Sequence, residues 1–417
     1  MLDVLSWHRA GVRRGGVGRG TGPDRRRTGL AAIAACLLLA ACDGGATQDE
    51  RFVTRDSAGV SIVESFAPAW GDERRWSIDP EPVFSIGQED GDAAYQLHRV
   101  TGVVRMQDGR IAVANGGSNE IRLYAPDGKH LGSVGGSGEG PGEFRALMGL
   151  YRLPGDSLFA YDLLLDRRSL FGPEGNFVRV VEPAEAPGQR HYIEAVLPDG
   201  SIVTASAAET ISHLSLPHGF LRQSYNWIRR RQDLVPLDTL GVFLSAESLN
   251  VRGENFAAYV RAPFLHGTHS AVRDGDIVLG ESEVWELRSL DFHGELLKII
   301  RRQHELRPLS SADVEQVRND ADPELRPGLM DVDFSGNYPA YTMVRADTDG
   351  HIWVREYQGS PDASTEQWTV LSPDGEWLGT VEAPRTVSVA ELGPDYMLAL
   401  VRDDLGLENV RMYRLRR

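Results

Sequence analysis

The stretch Asp108–Phe144, DGRIAVANGGSNEIRLYAPDGKHLGSVGGSGEGPGEF, decides the fold. RIAVA, EIRLYA and KHLGSV are short runs of branched and aliphatic residues, separated by the turn clusters Asn-Gly-Gly-Ser-Asn and Pro-Asp-Gly, so each run predicts a strand. With VTGVV just before them they make four. Asp108-Gly109 and Asp127-Gly128 are Asp-Gly pairs suited to tight hairpins, because glycine accepts the positive φ of a type I′ turn. The stretch therefore predicts a four-stranded antiparallel meander.

Its last ten residues, Gly135–Phe144, look like a phosphate-binding loop but lack the chemistry. A Walker-type loop needs Lys and then Ser or Thr after its glycines, whereas Gly140 is followed by Pro141 and Gly142. The dinucleotide spacing G-x-G-x-x-G also fails, since its third glycine falls on Pro141 or on Glu143. Glu139 and Glu143 would repel an anion.

The meander recurs along the chain, and recurrence at a fixed period signals a repeat architecture. Equivalent turns stand near Gly109, Gly155, Gly200, Gly275, Gly350 and Asp395. Three of the spacings are close to 45 residues, the length of a propeller blade, and two longer ones each hold an insertion of about 30. The expected fold is all-β, a six-bladed β-propeller with four-stranded blades. The sixth copy supplies only three strands before Arg417. PVFSIGQEDGDAAYQL, residues 82–97, matches HLGSVGGSGEGPGEFRAL, residues 130–147, in its strand, acidic Gly-rich loop and aromatic residue. That match places Val83–Gly87 as the missing strand, so the N-terminal segment closes the ring and leaves no open sheet edge. GGSGEGPGEF is then the connection between two blades, with Pro141-Gly142 as its turn and Phe144 set into the seam.

DGRIAVANGGSNEIRLYAPDGKHLGSVGGSGEGPGEF resembles a repeat of the NHL type. The order of elements over residues 57–417 resembles the six-bladed propeller lipoproteins of environmental and gut bacteria. The shared features are GVSIVES near the start of the domain, the GEGPGEF loop, RAPF before the fourth Asp-Gly, and DDLGLENVRMYRL at the end. The resemblance implies the fold and transfers no catalytic set.

Residues 1–41 read as a signal peptide of the lipoprotein type. A basic leader with Arg25, Arg26 and Arg27 precedes LAAIAACLLLAA, an apolar run too short to span a bilayer. Leu39-Ala40-Ala41-Cys42 resembles the lipoprotein cleavage box, in which Cys42 is the lipidated residue. Residues 42–56 are expected to form a tether, residues 57–417 the propeller, and the cell envelope is the expected location, with a lipid anchor as the only membrane contact. The chain carries 44 basic and 60 acidic residues. Without residues 1–41, 37 basic and 58 acidic residues remain, a formal charge of −21. Such an excess disfavours nucleic acid as a partner. The two cysteines are Cys36 and Cys42, so residues 43–417 hold no disulfide and core burial must stabilise the domain. A monomer is expected.

In the first insertion, SYNWIRRR is expected to be an outer strand of the third blade, with residues 248–262 leading to the fourth. The second is expected to hold a ten-residue helix over one face of the disc, capped by Ser310 or Ser311 and stopped by Pro323. Catalytic motifs are sparse: there is no G-x-S-x-G elbow and no H-E-x-x-H. His98, His191, His266 and His269 fall near predicted starts of inner strands, where they could converge on a divalent metal ion with Glu194 behind them. Glu139 and Glu143 are candidates for a cation-binding loop. The leading functional expectation is an envelope-anchored module that binds an extracellular ligand or another envelope protein through the channel mouth, bordered by Glu89, Asp90, Asp92, Glu139 and Glu143. The alternative is a metal-assisted hydrolase or lyase with a site at the central channel. Substituting Cys42→Ala should move the protein from the membrane to the soluble fraction on fractionation of expressing cells; a variant that stays with the membrane would refute the lipid anchor.

Overall fold

A computed structural model describes residues 51–71, 75–181, 191–208, 217–252, 257–359, 363–403 and 405–417. The leader, Cys42 and most of the expected tether lie outside the described residues. Six sheets have the meander form. Blade 1 runs Val100–Arg105, Ile111–Asn115, Glu120–Tyr124 and His130–Gly135. Blade 2 runs Leu147–Arg152, Leu158–Asp162, Arg167–Phe171 and Phe177–Val181, and blade 3 Tyr192–Val196, Ile202–Ala207, Ser224–Arg230 and Pro236–Leu244. Blade 4 comprises Thr268–Val272, Ile277–Glu281, Glu286–Leu290 and Leu296–Arg302, and blade 5 Tyr341–Ala346, Ile352–Glu356, Thr365–Leu371 and Trp377–Pro384. Blade 6 takes Ser388–Leu392, Tyr396–Arg402 and Glu408–Arg416 from the C-terminus and Ser77–Ile86 from the N-terminal side.

That last strand closes the ring as the sequence predicts. It pairs antiparallel with Glu408–Arg416, from Val410 opposite Ile86 to Arg416 opposite Ser77. Six hydrophobic clusters follow, one for each pair of neighbouring blades. Ile86, Leu398 and Val410 of blade 6 meet Ile111, Val113 and Tyr124 of blade 1 in the seam that joins the chain ends. The others join blades 1 and 2, 2 and 3, 3 and 4, 4 and 5, and 5 and 6. Because a blade is covered on both faces, its second strand is buried throughout instead of alternating, as in Ile111–Asn115 and Leu158–Asp162.

The turns at Asp108-Gly109 and Asp127-Gly128 share one geometry, and it is not type I′. Gly109 N–H donates to Met106 O at 2.9 Å, Met106 N–H donates to Arg110 O at 2.8 Å, and only Gly109 of the turn has positive φ, at 88°. This is a type I turn followed by a left-handed residue, the three-residue hairpin loop. Asp108 is favoured before it because its carboxylate accepts the Arg110 amide at 3.0 Å. The same pattern holds at Ala125–Lys129 and Leu197–Ser201. A true type I′ turn occurs at Ala58-Gly59, where φ is 56° and 86°.

That turn belongs to a hairpin which corrects the expected tether boundary. Phe52–Ser57 is a strand paired with Val60–Ser65, and the latter adds in parallel to Leu296–Arg302 at the outer edge of blade 4. The Glu64 carboxylate bridges Arg55 at 2.7 Å and Arg301 at 3.2 Å. The reading that ran the tether through Asp56 missed it because FVTRDS is polar on its outer half, as an edge strand is.

Both insertions leave from the side of the disc where first strands begin, since in a meander the ends of strands two and four return there. The first supplies the three-stranded sheet Gly219–Leu221, Ser248–Arg252 and Ala257–Val260. The second supplies helices α1 (Ser311–Asp320) and α2 (Arg326–Leu329). Ser310 caps α1 by accepting the Asp313 amide at 3.1 Å, and the helix ends before Pro323. Leu249, Val251 and Val260 of the sheet pack with Val317, Leu325 and Leu329 of the helices, so the two insertions form one cap.

The loop Gly135–Phe144 is the blade connection its sequence suggests. Pro141-Gly142 occupies the centre of a type II turn, with Gly142 at φ 80° and the Glu143 amide donating to Gly140 O at 3.1 Å. Phe144 is fully buried in the seam between blades 1 and 2, its ring 6.0 Å from that of Phe171. Phe144→Ala should cost about 3–5 kcal/mol in denaturant unfolding, whereas the exposed Glu139→Gln should stay within about 0.5 kcal/mol. Deleting residues 43–50 should leave the thermal transition in place and deleting through Gly87 should abolish it; a retained transition would show that closure does not hold the ring.

Candidate functional site

The four histidines do not assemble. Among the described residues no group of three or more His, Cys, Asp or Glu side chains could hold a metal ion. His98 is exposed, and it is its backbone amide that is used, donating to the Asn115 side chain at 2.7 Å. His266 likewise donates its amide to Glu247 at 3.1 Å. His191 is buried, and its carbonyl accepts from Arg168 at 3.1 Å. His269 packs edge-on against Tyr341 at 5.8 Å, and burial, then the nearby Arg345, Arg355 and Arg222, push its imidazole down to about 4. A ring set among three guanidinium groups is a poor place for a dication.

The loop carboxylates are also taken up. Glu139 pairs with Arg145 at 2.6 Å, and Glu143 accepts the Gly140 amide at 2.8 Å. Arg167 of blade 2 donates to the carbonyls of Glu139, Gly140 and Glu143, the oxygens a calcium ion would need. The sequence shows a loop without a cation; the fold brings one from the next blade.

On the opposite side of the disc, the turns after the first strands of all six blades surround an opening of about 940 Å³. Several of its charges are paired with one another. Arg273 pairs with Asp276, Arg417 with Asp347 and Asp349, and Glu391 accepts from Tyr396 and lies 3.7 Å from Arg105.

A smaller cavity differs. It measures about 390 Å³ and lies between blades 3 and 4 on the cap side, lined among others by Tyr192, Glu194, Tyr225, Trp227, Tyr259 and Thr268. Strand alternation explains its composition. In HYIEAV, His191 and Ile193 are buried while Tyr192 and Glu194 keep exposed surface, and Tyr225 and Trp227 stand two apart on the third strand. The expectation that Glu194 stands behind His191 fails for the same reason: an offset of three puts the two on opposite faces.

Glu194 also occupies a break in pairing. Ile193 pairs with Thr204 and Ala195 with Val203, so Glu194 is the extra residue of a bulge. Bulges re-aim a side chain and gather next to sites. The first strands of blades 1, 2, 5 and 6 shift register at Thr101, Met148, Thr342 and Ala390. Of these five positions only Glu194 is ionisable. Its exposed surface opens into the cavity, and desolvation by the neighbouring wall residues pushes its carboxyl above the usual carboxylate range. The Tyr225 hydroxyl is pushed up by burial and then by Tyr192, Glu194 and Tyr259, and all four groups line the cavity. Among the described residues Glu194 has no hydrogen bond or ion pair with a side chain.

No family description matches the chain, and no curated protein matches it. Among solved structures, a member of the DUF4221 family from Bacteroides vulgatus is similar over 82% of this chain and 98% of its own, with 11% identity and a TM-score of 0.48. The PQQ-bound form of aldose sugar dehydrogenase from Streptomyces coelicolor covers 82% and 99%, with 11% identity and a TM-score of 0.39. A streptogramin B lyase covers 82% and 97%, again with 11% identity, at a TM-score of 0.37. The likeness concerns fold alone.

Glu194 and His269 predict opposite responses to pH. Because folding raises the Glu194 pKa from its ordinary 4.5, the folded state loses stability as pH rises above 4.5. Glu194→Gln should therefore melt above the parent at pH 7, with the gap closing at pH 4. Because folding lowers the His269 pKa from 6.5 to about 4, the unfolded chain takes up the proton first, and stability is lost as pH falls through that window. His269→Gln should flatten the loss. Calorimetric melting temperatures across pH 4–7 check both.

Proposed function

We propose that the chain is an exported, lipid-anchored propeller that binds a small molecule in the Glu194 cavity beneath the cap. The observation that carries this reading is a carboxylate, unpaired among the described residues, set in an aromatic-lined cavity. Ionisable groups with perturbed pKa values in a cleft concentrate where a ligand compensates them. The surroundings support it: an aromatic-walled cavity with one charged group suits a ligand that is mostly enclosed and oriented by few polar contacts. The location is supported by the basic leader, its short apolar run and Leu39–Cys42. The formal charge of −21 supports a ligand or protein partner over nucleic acid.

The test is a thermal-shift panel of small metabolites on the detergent-solubilised protein, followed by calorimetry on any that raise the melting temperature. At least one should bind with a Kd that Tyr192→Ala and Glu194→Ala each weaken tenfold or more, about 1.4 kcal/mol. Both positions have exposed surface, so the fold should tolerate the changes. Ligands whose affinity is indifferent to both substitutions would place binding elsewhere and overturn the reading.

A further inference from the structure

We propose that the ligand of the Glu194 cavity is an organic ammonium ion, held against the aromatic walls with Glu194 as its counter-ion; this rests on the reading of the cavity as a binding site. Three properties of the cavity select that class. First, its one charged lining group is a carboxylate with no cation among the described residues to offset it. An anionic ligand would be repelled, and a neutral one would leave the charge uncompensated. Second, the donors are too few for a metal ion. Calcium takes six to eight oxygens and magnesium a near-complete octahedron, but among the described residues Glu194 is the one carboxylate lining the cavity and no set of three metal-ligating side chains forms.

Third, the walls are π faces. Tyr192 and Tyr225 lie 6.4 Å apart between ring centroids and tilt by 43°, which makes an angled corner. Trp227 is held against Phe243 at 5.2 Å in an edge-to-face contact, so its indole is fixed in place. Tyr259 comes from the cap sheet. Ring faces carry negative quadrupole charge and attract a cation of low charge density, most strongly where water is excluded. A large, weakly hydrated ammonium sheds its water readily, whereas a small inorganic cation does not. The surrounding field acts in the same sense, since an excess of acidic residues raises the local concentration of cations.

The experiment is isothermal titration calorimetry of the solubilised protein with choline, with ethanolamine as a primary ammonium, and with 3,3-dimethylbutan-1-ol, the uncharged carbon counterpart of choline. At least one ammonium should bind saturably and at least tenfold more tightly than the alcohol. Glu194→Gln should lower that affinity tenfold or more while retaining the melting transition, and Tyr192→Leu, which removes a π face and keeps apolar bulk, should lower it as well. If the alcohol binds as tightly as choline, or if Glu194→Gln leaves ammonium binding unchanged, the charge assignment falls and the cavity remains a ligand site. If neither ammonium binds while another molecule of the metabolite panel does so in a Glu194-dependent way, the ligand class is overturned. If nothing binds in either experiment, the binding-site reading falls with it.

Discussion

The pairing of Ser77–Ile86 with Glu408–Arg416 is the constraint on which the remaining structure depends. A propeller without it would expose the outer edge of Glu408–Arg416 and open the seam where Tyr124 meets Val410. No disulfide reinforces the closure, because neither cysteine lies beyond position 42. Backbone pairing and burial do the work, with the exposed Arg416–Asp79 pair at 2.7 Å adding little. Residue spans more than 300 positions apart thus become neighbours: the Val100 amide, at the start of blade 1, donates to Glu408 of blade 6 at 2.7 Å.

A closed ring then fixes where variation can collect. Each blade is covered on both faces by its neighbours, so extra residues can leave only at the two sides of the disc or at the rim. Both long insertions leave on the side where first strands begin, and each is too short to bury a core alone. Val317 and Leu329 of the helices find their apolar partners in Leu249 and Val251 of the other insertion. The cap sheet in turn contributes Ser248 and Tyr259 to the cavity that contains Glu194. Position in the ring, more than any local motif, is what brings these residues together.

The repeat, the closing strand, Phe144 in its seam and the capped helix were legible in the sequence because each rests on local patterns: turn spacing, apolar runs, a Ser followed by a helical period. Features that pairing decides were not legible. Gly109 and Gly128 mark turns correctly, but the turn type depends on which backbone groups bond across it. Arg167 is 24 residues from Glu143 in sequence and reaches the loop only through the blade-to-blade step. The cavity was half legible. Alternation in HYIEAV joins Tyr192 to Glu194 and separates His191 from both, whereas the bulge at Glu194 and the approach of Tyr259 appear only once strands are paired.

The comparison that singles out Glu194 is internal to the molecule. Buried carboxylates elsewhere are fully engaged. Asp162 accepts the amides of Arg145, Ala146 and Leu165. Glu366 accepts from Trp368, Thr386 and Arg355, and Asp347 from His351, Trp353 and Arg417. Glu356, whose carboxyl burial also pushes up, still has Arg302, Thr369 and Trp285 around it. The partners of those groups offset their desolvation. Glu194 lines a cavity wall with no such partners among the described residues. A glutamine there would fill the same space with no charge to desolvate, so the fold gains nothing from the ionisable form. What the charge can serve is something that enters the cavity from outside.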